Sequence, residues 1–324
     1  MAIDSQVSFL TAALRMEFNR AYNATAKPAP YERFTLQIPS TAKIEHYVWM
    51  TPVPGIAEFA GHRRFGQVAS TKYSVENKDW DSSFTIPRTT LDDDQTGGFM
   101  LKPRELAMFA RKFPGRRVLK KLSLGKVDLG FDGTAMFANS HAIGTGDNLL
   151  AFDGASNDGL AHNLVALHHG GELKPLIWQN RQGPDFETDG GTPQSKEAKL
   201  IKYWIDLRGE AAYGYWWDAV YVDITDTPSV IEMHAIIAAI EAAFRTFRLP
   251  QAISEQDGEY IHEQETFSTD NLTLVGSTGL ADVLRHALGE SWAPTTNLPA
   301  TGAVAATNRF VGFANWMVSA YLNE

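Results

Sequence analysis

The chain has 324 residues, 44% hydrophobic and 21% charged, which fits one elaborate domain or about two and excludes disordered or collagen-like polymers. It holds no cysteine, so disulfide scaffolds, Cys-ligated zinc, iron–sulfur clusters and thiol nucleophiles are excluded. Its 29 basic and 38 acidic residues give a net charge of −9, which argues against a uniformly basic nucleic-acid-coating surface but leaves room for a local basic patch.

No apolar run approaches the roughly 20 residues that span a bilayer, and the first residues lack a secretory pattern, so no membrane partner is expected and folding in a cytoplasm is. Residues 5–23 read as an amphipathic helix, with Val7, Leu10, Leu14, Phe18 and Ala21 at helical spacing. Ala24 to Pro30 follows as an extended linker. The helix either docks on its own core or reaches a neighbouring subunit. Residues 43–50 read as a strand ended by Pro52 and Pro54, with a short helix at 55–60 and a turn at Gly61.

Residues 66–90 read as a long polar hairpin. Tyr73 and Val75 lie on its first strand, Trp80, Ser82, Phe84 and Ile86 alternate along its second, and Glu76-Asn77-Lys78-Asp79 forms the turn. Such a ribbon is marginal alone in water. It either lies across another subunit or belongs to a larger sheet. On the first reading, deleting residues 68–86 leaves a soluble domain that no longer assembles.

Pro103 starts a helix with Leu106, Phe109, Ala110 and Phe113 on one face. Pro114-Gly115 breaks it, and a second piece runs to Gly125. Arg111, Lys112, Arg116, Arg117, Lys120 and Lys121 make this stretch locally basic, as a solvated face or as a surface for an anion or partner. Residues 142–200 are loop-rich. Ile201, Tyr203, Ile205 and Leu207 alternate as a strand, and the cluster Tyr213, Tyr215, Trp216 and Trp217 reads as a core or interface anchor. Ser229 and Glu232 form a capping box ahead of a helix over 229–248. Leu272 to Val275 read as a buried strand, Leu280 to Leu288 as a helix capped by Gly289, and Arg309 to Leu322 as one or two terminal strands.

Enzyme chemistry finds little support. There is no phosphate-binding loop and no nucleophile elbow. His262-Glu263-Gln264-Glu265-Thr266 puts Thr where a zinc helix needs its second His. Asp92 to Pro103 fails as a calcium loop because proline stands at the twelfth position. His168, His169 and Glu172 are the remaining metal-ligating candidates, for a hydrolase. Asp132-Gly133 with Phe137 and His141 reads as a turn, a strand and a satisfied histidine. No cofactor is expected.

Five blocks in order resemble the Mu-type phage major head subunit (gpT) family of major capsid proteins. They are Tyr47-Val48-Trp49-Met50 through Arg63; Tyr73-Ser74-Val75-Glu76-Asn77-Lys78 through Asp94; Asp132-Gly133 with Phe137 and His141; Lys174 through Arg181 with Tyr213 to Ala219; and the Ser229 helix with Asn271 to Val275. Gly276-Ser277-Thr278 departs from the Val-Pro frequent there.

The resemblance implies an α+β, HK97-like capsid fold: an N-terminal arm over 1–35, a peripheral domain over 36–65 and 91–160 with a spine helix carrying Leu106, Phe109 and Phe113, an E-loop hairpin over 66–90, a strand-rich segment over 161–225, and an axial domain with terminal strands over 226–324. It implies a self-assembling shell of hexamers and pentamers around double-stranded DNA, read without sequence specificity. It also implies scaffold, portal and cement proteins as partners, and a place in the virion head. An encapsulin-like compartment is the alternative within the same fold. Arg63, Arg64, Tyr73, Trp80 and Phe84 are the expected subunit-interface residues.

Overall fold

The computed structural model describes residues 2–24, 28–50, 73–87, 89–90, 98–154, 156–189, 192, 195, 197, 199–248, 261, 269–289, 292–294 and 305–323. A four-stranded and a five-stranded sheet, two two-stranded ribbons and the helices packed beside them organise these residues.

Helix α1 (Ala2–Asn23) docks on its own chain. Leu14 and Phe18 are buried, Phe18 stacks on Phe186 with ring centroids 5.2 Å apart, and Arg15 pairs with Asp185 at 3.2 Å. Of the two sequence readings of this helix, the structure adopts the docked one. Each buried aromatic here stabilises the contact by about 1.5–3 kcal/mol.

The first sheet has the order β1-β7-β8-β4, formed by β1 (Thr35–Pro39), β7 (Leu176–Thr188), β8 (Leu200–Tyr213) and β4 (Lys78–Pro87). Strand β1 runs parallel to β7, and the other neighbours are antiparallel. The alternation at 201–207 works as expected: Ile201, Tyr203, Ile205 and Leu207 face the helices and bury with Leu106, Ala107 and Ala110.

Those last residues belong to α2 (Leu101–Ser123), a single helix with Pro114 inside it rather than the two pieces expected from Pro114-Gly115. Proline removes one backbone hydrogen bond. Packing on both sides of it carries the helix through. Val118 and Leu122 are buried beyond the proline, and Gly115 lies under the Tyr31 ring. Phe109 is corrected too: it is 52% exposed, off the stripe marked by Leu106, Ala107 and Ala110.

The hairpin expected over 66–90 does not form between residues 73–75 and 80–86. Strand β3 (Ser74–Glu76) pairs antiparallel with β2 (Ile44–His46), and β4 pairs along its whole length with β8, Trp80 opposite Leu207 and Ile86 opposite Ile201. The larger-sheet reading applies. Asn77 is the pivot between the two pairings. It is buried, and its amide donates to Ser40 Oγ at 2.7 Å and the Ala42 carbonyl at 2.8 Å. Strand β2 is also shorter than the expected 43–50, since Val48–Met50 turn into a 3-10 helix.

The second sheet has the order β13-β10-β6-β9-β5. It contains β5 (Leu149–Asp153), β6 (Ala161–His168), β9 (Ala219–Thr225), β10 (Leu272–Gly276) and β13 (Asn315–Val318), while β11 (Trp292–Pro294) and β12 (Ala305–Thr307) pair with each other outside it. Three strands (β5, β6 and β7) thus occupy the stretch read as loop-rich. Residues 161–225 divide between the two sheets. Helix α3 (Val230–Thr246) starts at the capping box that Ser229 and Glu232 were expected to form. It buries Met233, Ile237, Ile240 and Phe244 in the main core beside α4 (Ala281–Gly289). Gly289 is the last residue of α4 and shows no positive φ, so the expected left-handed cap is absent.

Candidate subunit-contact surface

The motif Tyr73 to Lys78 ties three elements together. The Tyr73 hydroxyl accepts from the Tyr213 N–H at 3.0 Å, and Tyr47 donates to Gln179 Oε1 at 2.6 Å. Glu45 accepts from Ser40 Oγ and from the N–H groups of Thr41 and Ala42, which hold its carboxyl below the usual range. Lys78 reaches Glu210 at 3.0 Å, and Arg117 of α2 reaches the same carboxylate at 2.8 Å. Burial alone would raise the Glu210 pKa, but these two cations and the Ala211 N–H outweigh it and lower it. Trp80 lies under the Arg117 guanidinium at 4.3 Å, donates its indole N–H to the Gly209 carbonyl at 3.0 Å and touches Phe113.

Tyr73, Trp80 and Phe84 are therefore engaged by their own subunit, Phe84 by stacking on Tyr203 at 5.1 Å. Arg63 and Arg64 lie outside the described residues. Leu106 is core, Phe113 bridges Trp80 and Trp178, and Phe109 faces solvent.

What β4 leaves open is its other edge. Among the described residues it is an outer strand with a partner on one side only. Edge strands present unpaired backbone groups to any neighbouring chain. Where this edge meets the start of α2, an open groove of 320 Å³ is lined by Ser82, Phe84, Ile86, Phe99, Leu106 and Phe109. Leu101 and Met108 are exposed nearby on α2, and Val127 and Leu129 are exposed in the turn after it. Sequence reasoning missed these four. Only the folded helix shows which apolar positions fall off its buried stripe.

The aromatic cluster is core. Tyr213, Trp216 and Trp217 are buried, while Tyr215 is half-buried and stacks on Trp217 at 4.4 Å. Trp216 also lies flat on His141 at 3.9 Å. The His141 ring sits between Asp132 Oδ2 at 3.0 Å and Asn148 Oδ1 at 3.1 Å. Asn148 also accepts from the Ala138 N–H and donates to the carbonyls of Met136, Trp216 and Ala219. Gly133 takes φ 78° in the turn expected at Asp132-Gly133, but the strand expected after it does not form, Ala135 making only an isolated bridge to Leu129. Asn148 carried no sequence signal, because its partners lie outside its own turn and two of them, Trp216 and Ala219, come from a distant segment.

The metal candidates do not converge. His168 is buried with its Nδ1 3.8 Å from Asp218, His169 contacts Thr273 Oγ1 at 3.1 Å, and Glu172 is exposed. Among the described residues, no group of three His, Asp or Glu side chains is arranged to hold a metal ion. His168 and Glu172 instead line an open cavity of 520 Å³ with Tyr215, Trp217 and Asp218. Among the same residues, no helix is long and apolar enough to cross a membrane.

Three comparisons fit this architecture. Over 218 residues, 64% of this chain and 71% of the relative, the sequence is 28% identical to the Mu-like prophage FluMu major head subunit of Haemophilus influenzae. Over 210 residues, 60% of this chain and 67% of the relative, it is 26% identical to the major capsid protein of Escherichia phage Mu. The bacteriophage JBD30 capsid subunit superposes with a TM-score of 0.71 over 94% of both chains at 17% identity, which gives the fold: an α+β capsid fold of the HK97-like kind. The model of the Mu-like prophage major head subunit gpT matches residues 7–242, and the chain belongs to that family.

Proposed function

We propose that this major capsid protein of a tailed phage or prophage closes its shell through contacts along the open edge of β4. It is a structural protein of the virion head rather than an enzyme. Copies associate as hexamers and pentamers of an icosahedral shell, assembled in the host cytoplasm around double-stranded DNA. The first sheet with α1 and α2 acts as the peripheral domain, α2 being its spine, and the second sheet with α3 and α4 acts as the axial domain. Scaffold, portal and cement proteins are its further partners.

The observation that carries this reading is the groove between β4 and α2. It combines a strand edge that is unpaired among the described residues with exposed apolar side chains, the features a second copy can cover. A shell repeats one such contact by symmetry, so modest individual interfaces suffice. Trp80 and Phe84, on β4, contribute through the sides left half-exposed, and Arg63, Arg64 and Tyr73 are further interface residues on this reading.

Negative-stain electron microscopy of the purified full chain, with scaffold supplied if none forms alone, tests the reading. Wild type gives shells or capsomer rings. Phe109→Asp gives a folded subunit, with an unchanged circular-dichroism melt, that no longer assembles. Val311→Asp, also at an exposed apolar position, still assembles. Shells of normal size from Phe109→Asp exclude this groove as a contact.

A further inference from the structure

Helix α2 is electrically unlike the rest of the chain. Eight of its residues are basic and one is acidic, so it carries +7 in a molecule of net −9, leaving −16 for the remainder. Most of these cations are used internally. Lys102 pairs with Glu105, Arg104 with Glu17, Arg117 with Glu210 and Lys121 with Asp128, while Arg111 donates to the Ala24 carbonyl.

Three are not used in this way. Lys112, Arg116 and Lys120 are exposed and, among the described residues, none has a carboxylate within ion-pair reach. Arg116 only touches the Tyr321 hydroxyl, at 3.3 Å. They stand four residues apart, so they line one face of the helix at intervals of about 6 Å. A solvated helix face usually alternates its charges. This one shows a single sign over two turns.

We propose that Lys112, Arg116 and Lys120 form a ridge that contacts the phosphates of the enclosed duplex, and hence that α2 lies on the inner wall of the shell. The proposal rests on the capsid reading above. A single-sign ridge needs a single-sign counterpart. The uncovered face of the first sheet does not offer one, because Asp79, Asp81 and Asp206 share it with Lys202 and Arg208. A nucleic-acid backbone does, with one negative charge per roughly 1.7 Å of duplex axis. Flexible ammonium and guanidinium groups reaching phosphates supply affinity without sequence readout. The ridge can hold the outermost layer of packed DNA in place, while the acidic remainder of the subunit keeps binding weak.

The test is fluorescence anisotropy of a labelled 24-base-pair duplex with the purified full chain at 20–200 mM salt. Three phosphate contacts give a slope of log affinity against log salt of about −2.7, or roughly 40-fold weaker binding between 50 and 200 mM. The triple variant Lys112→Gln, Arg116→Gln, Lys120→Gln is expected to lose tenfold or more at 50 mM with a slope near zero. A control triple at other exposed cations, Lys43→Gln, Lys126→Gln and Lys202→Gln, keeps the wild-type slope. Equal loss in both triples, or no wild-type binding at 20 mM, overturns the proposal. So does low-salt self-association that the ridge variant abolishes while duplex affinity stays unchanged, which assigns the ridge to an acidic surface of a second copy. Electron microscopy of the ridge variant separates the two claims: if it forms shells but does not bind duplex as wild type does, the capsid reading stands and only the ridge is judged by the anisotropy.

Discussion

Asn148 holds the main core closed on its loop side. Its side chain is fully buried and serves the Ala138 N–H, the His141 ring and three carbonyls at once. Truncation strands several of these groups away from water, each at about 1–3 kcal/mol. Asn148→Ala is therefore expected to lower stability by more than about 3 kcal/mol in urea denaturation, against less than about 0.5 kcal/mol for the exposed Asn139→Ala. Titratable residues set the pH range in which the subunit stays folded. Burial, with His168 and Lys174 close by, lowers the His169 imidazole to about 4 from its ordinary 6.5. The unfolded chain then takes up that proton first, so stability is full above pH 6.5 and declines as pH falls toward 4. Burial would raise Asp132, but hydrogen bonds from His141 and from the Thr134 and Ala142 N–H groups leave it lowered. Its contribution, like that of Glu210, is present above the ordinary carboxylate range and is lost below about pH 4. At the other end, burial pushes Tyr31, Tyr47 and Tyr203 up to about 12, so stability falls as pH rises from 10 through 12. Urea midpoints measured against pH should show a plateau between about 6.5 and 10. In His169→Asn the acid decline should start lower, near the carboxylates; an unmoved onset means that His169 does not set it.

Helix α2 and strand β4 show what an element owes to its neighbours. Gly115 lies in mid-helix, where alanine is normally better by about 1 kcal/mol. A Cβ there would meet Tyr31 Cδ1 at 2.5 Å, and the ring is held in the core. Gly115→Ala is expected to destabilise by about 1–3 kcal/mol, read as a lower thermal midpoint, and to couple with Tyr31→Leu in a double-mutant cycle. Deleting residues 68–86 would remove nearly all of β4, which pairs with β8 along its length, so the product should be insoluble rather than the soluble domain expected of a free hairpin. Legibility followed locality. The α3 cap was readable because Ser229 and Glu232 satisfy each other within one turn. The alternation in β8 was readable because one face meets helices and the other does not. Strand β6 was missed because, from Leu164 to His168, it is buried on both faces and has no period to detect. The continuity of α2 was missed because nothing near Pro114 announces Tyr31, and the groove beside Phe109 was missed because β4 finds its partner more than a hundred residues away. Of the expected interface residues, the aromatic types were right for tight packing, but sequence cannot say whether the packing partner is another subunit or the same one.

At the scale of the molecule, a charge of −9 per copy opposes bringing copies together. Salt screens that repulsion, with a Debye length near 10 Å at 0.1 M. The threshold concentration for assembly, followed by light scattering, should fall as ionic strength rises from 0.02 to 0.3 M; a threshold that rises instead would mean that interfacial ion pairs govern assembly. The order in which strands leave the ribosome also matters. The first sheet is complete once β8 has been made, at Tyr213, whereas the second waits for β13, which starts only at Asn315. Strand β13 closes the free edge of β10, and the Leu322 carbonyl then accepts from the Asn163 side chain. During synthesis one half of the subunit can fold while the other still lacks its border strand. A chain stopped before β13 thus carries a finished contact groove on a subunit whose second sheet is still unsealed, rather than being merely a slightly shorter subunit.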